Sequence, residues 1–243
     1  MMKKSLAFTL GEVLIALGVI GVVASLVLPL LINGQKAGEA RARFDTAYSI
    51  LTKTIADMDA DNISVEPASY ATAGSFYTEL KKHFKIAIDC GKYSATNDSV
   101  CFSTTNTSAQ STYRRMSGTE MTALEKSMWD DGGVVLNNGM LVAVENPANY
   151  VYGLLIMVDI NGKNKNPNKL GYDLFAFELT KGGVLLPLGA PGTGQRTSSL
   201  ALWGNKKAEE YCKKGANHQF NGMTCAYLAA TDRDYFQKLY NGH

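Results

Sequence analysis

The chain has 243 residues, 46% of them hydrophobic and 19% charged, a balance that permits a real core in one large domain or two small ones. Its 24 Lys and Arg against 22 Asp and Glu give a formal charge of +2. That is too small for the broad basic field on which non-specific nucleic-acid binding depends, so nucleic acid is set aside as a partner.

Met1 to Ala7 is short and basic through Lys3 and Lys4, and from Phe8 to Ile32 the sequence is almost wholly apolar. At about 1.5 Å per residue, that run is long enough to cross a hydrocarbon core of about 30 Å. The two lysines keep the N-terminal flank cytoplasmic and place everything after Asn33 across the membrane. A secretory signal peptide would have an uncharged apolar region of about 7 to 15 residues, whereas this run is longer and carries Glu12. A carboxylate near the membrane-embedded start of a helix costs a few kcal/mol unless it finds a partner or a proton, or snorkels to the interface. Glu12 therefore calls for a functional reason.

The segment Ala7-Phe8-Thr9-Leu10-Gly11-Glu12-Val13-Leu14-Ile15 resembles the cleavage and methylation motif of type IV pilins and type II secretion pseudopilins. Two positions depart from the usual pattern: Ala7 stands where the family commonly has glycine, and Gly11 where it commonly has a larger apolar residue. The resemblance implies cleavage between Ala7 and Phe8 by a prepilin peptidase, N-methylation of Phe8, and an assembly role for Glu12. It also implies that Pro29 is the helix-loosening proline of many pilins, since proline removes one backbone hydrogen bond. Loss of Lys3 and Lys4 would lower the basic count from 24 to 22 and leave the processed chain formally neutral. In such an assembly the new Phe8 amine would meet Glu12 of an adjoining subunit. A misaligned neighbour would leave two unpaired ions in an apolar core, at several kcal/mol. The implied partners are the peptidase, other pilin or pseudopilin subunits, an inner-membrane assembly platform and the lipid bilayer. The implied function is a structural subunit of a pilus or secretion filament, with a cytoplasmic N-terminus and an extracytoplasmic head that reaches the filament or cell surface after assembly. The alternative is an uncleaved, membrane-anchored extracytoplasmic binding protein.

Beyond the membrane, Phe44, Ala47, Tyr48, Leu51, Ile55 and Met58 recur at three- and four-residue steps while Arg41, Arg43, Asp45, Lys53 and Asp57 fall elsewhere, so the helix continues as an amphipathic one. The expected organisation is a leader over 1–7, a helix over 8–59, membrane-spanning in its first half, and a globular head over 60–243. In the head, a helix is expected from Phe76 to Phe84 and a strand from Lys85 to Cys90. An exposed loop is expected from Asn106 to Arg115, then a short threonine-capped helix from Thr119 to Trp129. Strands follow at Val134–Leu136, Met140–Val144, Tyr152–Asp159, Leu174–Leu179 and Val184–Pro187, with Asn137-Asn138-Gly139 as a hairpin turn. Sequential strands with short links give an α+β fold in which the N-terminal helix packs on an antiparallel sheet.

The four cysteines lack CxxC spacing and read as disulfides in an oxidising compartment. Three connectivities are open; the local pairing, Cys90 with Cys101 and Cys212 with Cys225, closes two short loops. Asp159-Ile160-Asn161-Gly162 partly resembles a calcium loop, with Asp173 as a further ligand. Lys163 stands where a third oxygen ligand is expected, and no closing glutamate follows. A structural turn capped by Asp159 is the plainer reading, and the resemblance adds that some pseudopilin heads bind calcium. His83, His218 and His243 show no ligand spacing, and the Gly189–Gly194 run lacks the Lys-Ser/Thr ending of a phosphate loop. No enzyme, and no cofactor beyond a calcium ion, is expected. The aromatic and basic region from Trp203 to Tyr240 around Cys212 and Cys225 reads as a structural staple, with subunit contact as its functional alternative.

Overall fold

The computed structural model describes residues 9–92, 101–102, 113–146, 153–193 and 208–242. A single helix, α1, runs over Leu10–Ala60. Thr9, in extended backbone, takes the cap position, so the helix starts two residues later than expected. It ends where Asn62 turns left-handed, with the Ile63 N–H donating to the Met58 carbonyl (2.9 Å) and the Asn62 N–H to the Asp59 carbonyl (3.0 Å). This is the Schellman arrangement, which satisfies the carbonyls left over at a helix end, with asparagine in the usual place of glycine. The buried residues of α1 all lie in its second half: Ala37, Ala40, Phe44, Ala47, Leu51, Thr54, Ile55 and Met58. The expected stripe is therefore the one that packs.

Six strands form one antiparallel meander in chain order: β1 Ile86–Gly91, β2 Gly133–Leu136, β3 Leu141–Glu145, β4 Leu154–Asp159, β5 Leu174–Leu179 and β6 Leu185–Pro187. Each expected strand has its counterpart here, but Lys85, Met140, Gly153 and Val184 lie just outside β1, β3, β4 and β6, and Tyr152 lies outside the described residues. β4 and β5 are buried at every position. Alternate residues serve two cores, because successive side chains of a strand point to opposite faces. Leu154, Ile156 and Val158 of β4 and Phe175, Phe177 and Leu179 of β5 face the core built on α1. Leu155, Met157, Leu174 and Ala176 face a second core with Trp129 and the Cys90–Cys101 bridge. Phe44 joins helix to sheet, its ring 4.8 Å from that of Phe175 and 6.0 Å from those of Phe177 and Phe236.

The shorter helices are α2 Ser75–Leu80, continued by a 3-10 turn at Lys81–His83, and α3 Ala123–Lys126, continued by a 3-10 turn at Ser127–Trp129. The helix expected from Thr119 is thus shorter. Its cap is Thr122, which exchanges hydrogen bonds with Glu125: the Thr122 N–H donates to Glu125 Oε2 (2.8 Å) and the Glu125 N–H to Thr122 Oγ1 (3.4 Å). The loop expected from Asn106 to Arg115 is corrected at its described end, where Tyr113 and Arg115 are buried; its earlier part lies outside the described residues. Two helices near the C-terminus, α4 Cys225–Thr231 and α5 Tyr235–Asn241, were not legible as periodic segments. Each is about two turns, too short for a helical period to declare itself.

Arg41 fastens α1 to this pair. Its guanidinium donates to the carbonyls of Ala229 (2.5 Å) and Asp232 (2.6 Å) and lies 5.0 Å from the centre of the Phe236 ring. A cation is favourable at these carbonyls because they end α4 without intrahelical partners.

Candidate functional site

The helix N-terminus carries the main functional expectation. Ala7 and Phe8 lie outside the described residues. Glu12 is in place at the first turn of α1, where its Oε2 accepts the Thr9 N–H (2.8 Å) and the Thr9 hydroxyl (2.8 Å) while Thr9 Oγ1 accepts the Glu12 N–H (3.3 Å). This capping box satisfies two N–H groups that the helix start would otherwise leave bare. It gives Glu12 a local role that the sequence reading missed, although the Thr-x-x-Glu spacing was the signal for it. The helix is long and apolar enough to cross a membrane, and its most apolar stretch is not buried anywhere in the protein. Leu10, Leu14, Ile20, Leu26 and Leu30 are among the large side chains left exposed. Pro29 sits inside the helix without ending it.

The β4–β5 loop brings together all three residues singled out for an ion. Asp159 Oδ1 accepts the N–H groups of Asn161 (3.1 Å) and Gly162 (2.8 Å), and its Oδ2 accepts the Tyr113 hydroxyl (2.8 Å). Asp173 Oδ2 accepts from the Asn168 N–H (2.8 Å) and the Asn161 amide (3.2 Å), and its Oδ1 from the Lys169 N–H (2.6 Å). Burial pushes both carboxyls above the ordinary range, and the charge of Asp159 adds to the effect at Asp173. Gly162 is required here on two counts: its φ is +83°, and a Cβ would lie 2.3 Å from the carbonyl oxygen of Gly139 in the β2–β3 turn. Lys163 turns away from the carboxylates and donates to the Cys101 carbonyl (2.8 Å). Asn161 Oδ1 and Asn168 Oδ1 are buried without a hydrogen-bond partner. As placed, the loop is a hydrogen-bonded turn. To calcium it offers these two amide oxygens and the remaining lone pairs of two carboxylates, so the ion would draw the rest of its six to eight oxygens from water.

Both disulfides follow the local pairing. Cys90–Cys101 has Cα atoms 5.8 Å apart and Cys212–Cys225 4.9 Å apart, and no cysteine is free. Cys212–Cys225 ties the 3-10 turn at Ala208–Tyr211 to the start of α4, as the staple reading expects.

Two clusters escaped the sequence reading. Glu125 is 1% exposed and receives Arg115 Nε (2.9 Å) and Nη2 (2.7 Å) together with the N–H groups of Thr122 (2.8 Å) and Phe220 (2.7 Å). Asp130, Asp131 and Glu145 place one carboxylate oxygen each within 4.8 Å of one another. Burial raises the pKa of both aspartates, and Asp131 holds the Asn146 N–H (2.7 Å), whose side chain in turn binds the Phe76 N–H (3.0 Å) and the Tyr70 carbonyl (2.8 Å). These bonds dock α2 and the turn before it on the sheet. His83 approaches Asp61 at 3.7 Å and His218 bonds two carbonyls, so these two histidines do not form a shared site; His243 lies outside the described residues.

Comparison of the chain with protein-family models, curated proteins and solved structures finds no match.

Proposed function

We propose that the protein is a pilin-like structural subunit of a type IV filament or secretion pseudopilus, anchored in the membrane by the first half of α1 before assembly. The observation that carries this reading is the division of one unbroken helix. Apart from Glu12 and Ser25, Leu10 to Ile32 is apolar, and the stretch is exposed, whereas one face of the following half is buried on an antiparallel sheet. A helix that exposes this much apolar surface needs a lipid bilayer or neighbouring helices of the same kind to cover it. In this reading Ala7 and Phe8 form the cleavage site, Glu12 meets the Phe8 amine of a neighbour, and Pro29 gives the rod local play during packing. The N-terminus is cytoplasmic before processing, and the head lies on the far side, where both disulfides are stable.

The test is the intact mass of the protein purified from its native membranes. A chain that begins at N-methylated Phe8 supports the filament reading. A chain that begins at Met1, from cells with an active prepilin peptidase, would leave a membrane-anchored head with a binding role. Calcium in the β4–β5 loop is a second proposal, favoured by the two orphaned amide oxygens on residues bonded to Asp173. Calcium should then raise the melting temperature of wild type by several degrees and leave Asp173→Asn unmoved; equal melting of wild type with calcium and with chelator would end that reading.

A further inference from the structure

A cleft of ≈ 460 Å³ opens between α1 and the β4–β5 loop; its lining includes Lys36, Glu39 and Arg43 from the helix, Lys165, Tyr172 and Asp173 from the loop, and Tyr240 from α5. The Asp173 carboxylate is taken up within the loop by the Asn168 and Lys169 N–H groups and the Asn161 amide. Its charge is unevenly answered. Arg43 Nε is paired with Glu39 at 2.8 Å and its Nη1 reaches the Ile160 carbonyl at 3.4 Å, so that cation is spoken for. Lys36 and Lys165 are both exposed, and among the described residues neither ammonium group has an ion-pair or hydrogen-bond partner. The two therefore face one opening, one from each wall, with free ammonium groups.

The height of the cleft on the helix gives this pair a meaning. The apolar run ends at Ile32, and Lys36 follows about 6 Å further along the axis at 1.5 Å per residue. The headgroup layer of one leaflet is about 5 to 7 Å deep. If α1 spans the bilayer, Lys36 stands at headgroup level and the cleft opens immediately above it. Tyr172 and Tyr240, with ring centres 5.8 Å apart, form the aromatic wall, a side-chain type suited to the boundary between lipid and water.

We propose that this cleft seats the phosphate of an anionic phospholipid headgroup, with Lys36 and Lys165 closing on it from the helix and from the loop while the subunit resides in the membrane. The inference rests on the membrane-spanning reading of α1. It adds a function to that reading, because a lipid bound at this point steadies the head against the bilayer and must be released when the subunit leaves the membrane.

The experiment uses the full chain in nanodiscs made from equal parts of phosphatidylcholine and phosphatidylglycerol, with retained lipids counted by native mass spectrometry. Two lysines near an anionic surface predict roughly a thirtyfold preference for phosphatidylglycerol. Lys36→Gln/Lys165→Gln should lose that preference, while Lys181→Gln, which removes an exposed charge elsewhere in the head, should keep it. Because the cleft lysines are exposed, the double variant should melt with wild type. A wild type without lipid preference, or a double variant that retains it, overturns the cleft while leaving membrane insertion intact. Failure of the chain to enter nanodiscs overturns both readings. A third arm adds glycerol phosphate to phosphatidylcholine discs; its retention on wild type and loss from the double variant would make the cleft a site for a soluble phosphate and overturn the lipid assignment.

Discussion

Glu125→Ala should be among the most damaging single changes in the head. The carboxylate gathers the Arg115 guanidinium, the start of α3 and the backbone of Phe220 into one buried knot. Its removal leaves Arg115, 8% exposed, as an uncompensated charge. Breaking a buried pair in this way costs about 3 to 5 kcal/mol, against about 1 kcal/mol or less for a surface pair. For a chain of this size the melting temperature should fall by about 10 °C. Arg115→Met/Glu125→Met should be milder than the sum of the single changes, since neither charge is then stranded. Thermal unfolding of the full chain in detergent, followed by near-ultraviolet circular dichroism, measures Glu125→Ala, the double change and its two single components. The same pair predicts a pH dependence. Burial alone would push the Glu125 carboxyl up, but the Arg115 guanidinium and the N–H groups of Thr122 and Phe220 outweigh it and hold the carboxyl below its ordinary value. A lowered folded-state pKa contributes stability that is present above the unfolded value of about 4.3 and is lost as pH falls through the folded one. Wild type should lose this increment on acidification and Glu125→Gln should not. The reasoning fails if Glu125→Ala melts within about 2 °C of wild type, or if the two single changes simply add.

Phe44→Ala removes a ring packed against three others, and the cost expected from large-to-small core changes is about 3 to 5 kcal/mol by urea unfolding; a cost below about 1 kcal/mol would mean that α1 is not held to the sheet as described. Cys212→Ser/Cys225→Ser opens a loop of sequence separation 13 and should cost about 3 kcal/mol. Non-reducing peptide mapping should recover Cys90–Cys101 and Cys212–Cys225, and crossed peptides would refute the pairing. Glu12→Gln separates the two roles of that residue, since glutamine can keep the capping box but carries no charge. Membrane insertion should be unchanged while incorporation into filaments is lost, and normal filaments from this variant would reduce Glu12 to a helix cap.

The long helix, its apolar first half and the meander of strands were legible in the sequence because each rests on local periodicity. Thr9 and Asn62 are local signals as well, and both set helix ends in the way their side chains and backbone preferences allow. The loop residues Asp159, Asn161 and Asp173 also lie together: the Asp-x-Asn-Gly turn brings the first two close, and the antiparallel pairing of β4 with β5 brings Asp173 to them. What the sequence could not specify is which distant groups meet. Arg115 reads as the end of a polar loop until Glu125 and Phe220 close over it, and Arg41 reads as the outer face of an amphipathic helix until the C-terminal end of α4 supplies carbonyls from 188 and 191 residues away. The cleft at Lys36 and Lys165 exists only once the β4–β5 loop lies against α1. By itself the sequence determined the rod, the sheet and an apolar stretch long enough to cross a membrane, because these follow from the order of apolar and polar residues along the chain. Only the tertiary structure decided which charges are buried in pairs and which stay exposed beside the β4–β5 loop, because desolvation and pairing depend on neighbours that chain order does not specify.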